Sequence, residues 1–264
     1  MIYDLQKASF GKRISAFLFD AILIVTVAVG VIWGIFAIMG GDAHSDACLA
    51  EYYALLDKYE AEYGIEDIEI SGQDKLALPE EELAKIDEAL TKVNSEIFES
   101  ESFRESFASL MSAVAISGIF GLLAAFVALE LVVPLILGNG QTLGKKIFGI
   151  AVMMTSGVKI SPVALFVRTV LGKYTVETMV PIFIIVFTFF GFLGIGGTAV
   201  LLLLLIFEIC LLIFNKTRPM IHDALAMTVC VDMASQLIFD SEDELLAYKA
   251  RVHAEAAERT SSDY

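Results

Sequence analysis

Three carboxylates stand where a carboxylate is costly, because Asp20, Glu130 and Glu208 each fall inside a long apolar run. An Asp at the centre of a membrane-crossing helix costs about 2.5 to 3.5 kcal/mol on insertion scales, so such groups face a protein interior or a wet cavity. Counted at about 1.5 Å per residue from the ends of their runs, all three lie roughly 8 to 11 Å inside one boundary, in a single layer. Glu177 adds a fourth acid near the start of another run. Such a layer can hand a cation or a proton from one carboxylate to the next. With basic groups in reach it can equally be a buried ionic clasp, in which removing one partner costs about 3 to 5 kcal/mol. Arg13 precedes Asp20 by two helical turns, which puts both on one face at roughly 10 Å. Arg218, His222 and Asp223 follow the last run. Both readings stay open, and their candidate residues are Arg13, Asp20, Glu130, Glu208, His222 and Asp223.

The elements that position these groups are membrane spans. The chain has 264 residues, 57% of them apolar, and a mean hydropathy of +0.72. That excludes a disordered chain and an ordinary soluble domain. A net charge of −15 repels phosphate, which excludes nucleic acid as a partner. Apolar runs predict spans over 15–39, 110–137, 176–193 and 198–214, each able to cross or nearly cross a hydrocarbon core of roughly 30 Å. Four spans place both termini on one side. Of the 18 Lys and Arg, three precede the first span, five lie between spans two and three, and five follow span four. The other five are diluted in the long segment after span one, so positive-inside logic predicts a multi-pass cell-membrane protein with both termini cytoplasmic. The first run is longer than the apolar core of a signal peptide and contains Asp20, which predicts that it is retained. Gly194, Ile195, Gly196 and Gly197 predict a tight reversal between spans three and four.

Nearly all the excess negative charge lies between Gly41 and Phe107, where 19 acids face five bases for a local charge of −14. Apolar residues at helical spacing over 47–63, and a second run opened by Pro79, predict a two-helix extracytoplasmic cap. In the second helix Leu83, Ile86, Leu90, Val93 and Ile97 form a narrow stripe, and this helix could continue into span two. The cap reads as a solvated acidic face, the usual meaning of a charge run, or as a mouth that concentrates cations. His44 between Asp42 and Asp46 offers too few ligands for a metal site. No metal and no cofactor are expected. Cys48, Cys210 and Cys230 fall in different compartments, so no disulfide is expected.

After span two, Gly138-Asn139-Gly140 and Lys145-Lys146 mark a membrane exit with a sharp turn. The segments 150–154 and 227–232 read as short strands, which should pair because each alone leaves its backbone groups unsatisfied. Ser161 and Pro162 open a helix with Arg168 and Lys173 on its polar side, which reads as an amphipathic helix lying on anionic lipid. Ser117, Gly121 and Ala125 form a small-residue ridge on span two that reads as a packing face. Ser241 and Glu244 form a capping box for a C-terminal helix.

Three motifs, in order, make the chain resemble the RDD family of small bacterial membrane proteins. They are Gly11-Lys12-Arg13-Ile14-Ser15-Ala16 with Asp20, then Gly140-Gln141-Thr142-Leu143-Gly144-Lys145-Lys146 with Gly149-Ile150, then Ile221-His222-Asp223-Ala224-Leu225-Ala226 with Thr228-Val229-Cys230-Val231. The arginine and two aspartates of the family's name fall on Arg13, Asp20 and Asp223. The resemblance covers about 1–40 and 110–232, leaving out the acidic cap and the tail. Met227 stands where a glycine is common, and Pro219-Met220 replaces a more basic or glycine-containing lead-in. The family has no settled activity. Transport of an unidentified ligand, with monovalent-cation/proton exchange in some members, is what the resemblance implies.

No hydrolase, nucleotide-binding, zinc or dithiol pattern is present, and His222-Asp223 are sequence neighbours that do not face each other on a helix. The chain is therefore not expected to be an enzyme. The expected fold is a mostly α polytopic protein with four transmembrane helices, an extracytoplasmic helical insertion and a small cytoplasmic β element. Its parts are 1–40 with span one, 41–107 as the cap, 108–232 as the remaining membrane domain, and 233–264 as a cytoplasmic helical tail. The expected function is transport of a small monovalent cation with proton exchange; the alternative is a non-enzymatic scaffold or assembly factor that binds other proteins. The expected partners are the lipid bilayer, a small cation and a proton, and a second copy of the chain, since four spans are few for a monomeric transporter.

Overall fold

The structure, a computed structural model, describes residues 5–65, 78–214 and 220–262. Its helices are α1 (Phe10–Ile38), α2 (Gly41–Tyr63), α3 (Glu80–Ile97), α4 (Glu101–Leu137), α5 (Leu143–Ile147), α6 (Pro162–Phe189), α7 (Gly194–Phe214), α8 (Ile221–Leu225) and α9 (Glu242–Ser262). Strands β1 (Ile150–Met154) and β2 (Thr228–Asp232) pair antiparallel, Val152 opposite Cys230, as the two β-like runs predict. Helices α1, α4, α6 and α7 are long and apolar enough to cross a membrane. The chain divides into two compact units, Val29–Gly121 and Met1–Ala28 with Leu122–Tyr264.

In the first unit, α2 and α3 bury Leu56 and Tyr59 against Ile86, Ala89 and Val93. The stripe read along α3 is thus the face that builds this core, and its acids point outward. Lys58 and Tyr59 both reach Glu96, at 2.8 and 2.5 Å, and together hold its carboxyl below the usual range. Helix α3 does not run into span two, because Phe98–Ser100 break it before α4 starts at Glu101. Gly121 packs against Ile32 so closely that a Cβ there would meet Ile32 Cα at 3.0 Å, which makes the small-residue ridge a packing face between α4 and α1.

In the second unit, β1 and β2 bury Ile150, Ala151, Val152, Val229 and Val231. The segment before α1 lies beside β2: Asp232 donates its backbone N–H to Gln6, and Lys12 pairs with the Asp232 carboxylate at 2.5 Å. The sheet therefore anchors the start of α1. The turn at 138–140 uses three successive residues with positive φ, Gly138, Asn139 and Gly140, the glycines and asparagine tolerating what other side chains resist. Thr142 then caps α5, accepting from the Lys145 amide at 3.3 Å.

Two expectations change here. The third span is not 176–193, and the helix opened by Ser161 does not lie apart from it as an interfacial element. Both are one continuous helix, α6, capped by the Ser161 hydroxyl at 3.1 Å from the Ala164 amide. Arg168, Lys173 and Glu177 depress the apolar signal of its first half, which hides its start. The reversal into α7 also lies earlier, at 190–193, and the glycines 194–197 form the first turn of α7.

Candidate functional site

Two of the four charge-bearing spans, α4 and α6, leave the α register where they carry their charges, whereas α1 at Asp20 and α7 at Glu208 keep it. In α4 the stretch Val127–Val132 around Glu130 is π-helical, and in α6 so is Val167–Met179, which holds Arg168, Lys173 and Glu177. The amide of Val180 bonds the carbonyl of Thr175, and the hydroxyls of Thr175 and Thr178 bond carbonyls five residues back. The wider π turn sets residues four and five apart on one face, which fits the spacing of the three charges. Such turns recur at functional sites.

Two bonded networks result. In the first, Asp20 accepts from the Gly144 amide at 2.8 Å and from the Thr142 hydroxyl. That hydroxyl in turn lies 3.3 Å from the Lys145 ammonium, which stands 3.8 Å from Glu130. Glu130 also pairs with Lys173 at 2.6 Å, and its backbone carbonyl accepts from Thr169 at 2.8 Å. Burial pulls the Lys145 ammonium down to about 8, with the Glu130 carboxylate opposing. In the second, Arg168 donates to Asp223 and, at 3.0 Å, to His222 Nε2. Arg13 approaches the other oxygen of Asp223 at 3.8 Å, and Thr228 donates to that carboxylate at 3.0 Å. Since a guanidinium only donates, His222 Nε2 accepts, its proton sits on Nδ1, and Nδ1 donates to Glu177 at 2.7 Å. Burial disfavours charge on Asp223, yet Arg168 holds its carboxyl well below the usual carboxylate range.

Close packing makes these bonds possible. A Cβ on Gly172 would stand 2.7 Å from His222 Cα, and one on Gly144 would stand 2.5 Å from the Ala16 carbonyl oxygen. Only glycine lets α8 and α5 come this near.

The two networks floor one cavity of about 510 Å³, whose wall is mostly carbon. All six candidate residues, Arg13, Asp20, Glu130, Glu208, His222 and Asp223, line it. The sequence thus locates its acids, while four partners were not legible as partners: Thr142, Lys145, Arg168 and Lys173. The available signal was the interruption of an otherwise apolar stretch by Arg168, Lys173 and Glu177, which reads equally well as a polar surface. His222 and Asp223, though adjacent, are brought together by Arg168, which bonds both. Arg218 lies outside the described residues. Glu208 on α7 differs from the other four carboxylates, for it forms no hydrogen bond or ion pair among the described residues. No group of three or more His, Cys, Asp or Glu side chains among the described residues is placed to hold a metal ion.

Four membrane-length helices and an ion-paired layer at their shared cavity define a polytopic integral membrane protein. The chain belongs to the RDD family, whose model matches residues 7–227 and so includes Arg13, Asp20 and Asp223. Comparison with curated proteins and with solved structures gave no significant match.

Proposed function

We propose that this chain is a transporter of the cell membrane, with cytoplasmic termini, that exchanges a small monovalent cation for a proton at the Glu208 carboxylate. The observation that supports this is the contrast among the five cavity carboxylates. Asp20, Glu130, Glu177 and Asp223 are held by protein donors, whereas Glu208 has none among the described residues. An unpartnered carboxylate facing a cavity takes up either a proton or a cation. Each then weakens binding of the other by the same factor, which is the minimal requirement for exchange. The held carboxylates and their cations fix the shape and field of the cavity. The reading calls for no catalytic group and no cofactor.

The test is proton movement in proteoliposomes loaded with a pH dye and challenged in turn with Na⁺, Li⁺, K⁺ and organic ammonium ions. The expected result is cation-driven proton movement that disappears in folded Glu208→Gln. Absence of proton movement with every cation, through correctly inserted protein, contradicts the reading. A non-enzymatic scaffold or assembly factor is favoured by one observation, the saturation of four carboxylates, three of them buried, which is what a structural clasp needs. In that case Asp20→Asn lowers thermal stability and recovery of bound proteins, and the wild type moves no protons.

A further inference from the structure

We infer that the cation this cavity takes is an organic ammonium with an apolar body, and not a bare alkali ion. The inference rests on the transport reading above and specifies its substrate class. A bare alkali ion gives up its water only where several oxygens replace it. Here four of the five carboxylates are already engaged by amides, hydroxyls, an imidazole, lysines and arginines, which leaves among the described carboxylates the oxygens of Glu208. The volume points the same way. An ion with a shell of about six waters, at ~30 Å³ each, fills less than half of the 510 Å³. A cavity of this size, mostly carbon with a few convergent polar groups, is typical of small-molecule sites.

The lining supplies what a substituted ammonium needs. Phe10, Phe17 and Phe126 offer rings to a diffuse positive charge, Ile24 and Leu122 offer apolar surface, and Glu208 offers the counter-charge. A substituted ammonium needs no set of oxygen ligands, so one carboxylate suffices. Among the described residues, with Arg13, Lys145, Arg168 and Lys173 charged and His222 neutral, the five lining carboxylates leave the cavity one negative charge in excess. One monovalent cation, or one proton, balances it.

The experiment uses the full chain in proteoliposomes and compares Na⁺, Li⁺ and K⁺ with tetramethylammonium and phenyltrimethylammonium as drivers of proton movement. Phenyltrimethylammonium is expected to act at about tenfold lower concentration than tetramethylammonium, because the cavity buries its ring. Ala21→Phe, which fills the cavity from α1, is expected to raise its half-saturating concentration by about tenfold or more. Val25→Phe, on the same wall, is the second variant should the first fail to insert. Proton movement driven by alkali ions and not by phenyltrimethylammonium overturns this inference and leaves the transport reading standing. An unchanged response in both inserted wall variants removes the cavity as its site. No movement with any cation overturns the transport reading and this inference together.

Discussion

Arg168 on α6 and Asp223 on α8 are joined twice through a single oxygen, Oδ1 lying 2.9 Å from Nη2 and 3.1 Å from Nε, with both side chains almost wholly buried. This pair ties the third span to the short helix that follows the fourth. Through His222 it extends to Glu177, and through Arg13 to the first span. Arg13 and Asp223, two of the three residues in the family's name, therefore lie in one network whose charges balance, while Asp20 belongs to the other.

Breaking that pair strands a charge. Arg168→Ala or Asp223→Asn is expected to cost about 3 to 5 kcal/mol, while Arg168→Ala with Asp223→Ala costs less than the sum of the two single changes. Arg168→Lys rescues only part, because a point-charge ammonium cannot bridge Asp223 and His222 as a planar fork does. Thermal unfolding of the purified protein reads each effect, and an unchanged midpoint in Asp223→Asn contradicts the assignment.

Acidification should loosen the same region. Burial pulls His222 below its ordinary pKa, with Arg168 and Lys173 acting in the same direction and Asp223 and Glu177 opposing. The unfolded imidazole titrates near pH ~6.5 and the folded one lower, so between those values the unfolded chain binds more protons. Stability from this group is complete above about pH 6.5 and is lost as pH falls through the folded value. Asp223, also depressed, contributes a further loss only below about pH 4. The unfolding midpoint is expected to fall between about pH 7 and 5.5, and a flat or rising midpoint over that range counts against a neutral His222.

Gly144 is a contact that a single methyl can test. Its Cβ would stand 2.9 Å from Asp20 Oδ1 as well as against the Ala16 carbonyl, so Gly144→Ala must push α5 off α1 and loosen the Asp20 bonds. A loss of about 1 to 3 kcal/mol is expected. Gly118→Ala, with nothing within 4 Å, serves as the control and should be neutral or stabilising by up to ~1 kcal/mol. Equal midpoints for the two variants would rule out the close approach.

Met227 carries a φ of 50° and is 67% exposed, so its side chain packs little while its backbone sits where glycine is at ease. Met227→Gly is expected to raise stability by about 1 kcal/mol, the left-handed penalty outweighing the entropy that glycine adds to the unfolded chain. A lowered unfolding midpoint would contradict this.

What could be read from the sequence follows from which physical signals are local. Apolar length marks the spans, alternation marks β1 and β2, and Ser161-Pro162 marks a helix start, because each depends on neighbouring residues alone. Acids inside apolar runs stand out by cost, which brings Asp20, Glu130 and Glu208 into view. Their cations do not stand out, since Lys145, Arg168 and Lys173 flank apolar stretches and have the same local pattern whether they touch lipid headgroups or buried carboxylates. Only the tertiary approach of α5, α6 and α8 decides between those. The π register of α6 is likewise invisible in a pattern read at helical spacing, and the true start of the third span is hidden with it.

The most direct test of the central claim, that proton and cation compete for Glu208, is calorimetric titration of the purified protein with the cation that drives proton movement, in buffers of different ionisation enthalpy. The account predicts up to one proton released per cation bound near the pH at which Glu208 is protonated, and no release in folded Glu208→Gln. Cation binding with no proton release at any pH, or undiminished release in Glu208→Gln, would contradict it.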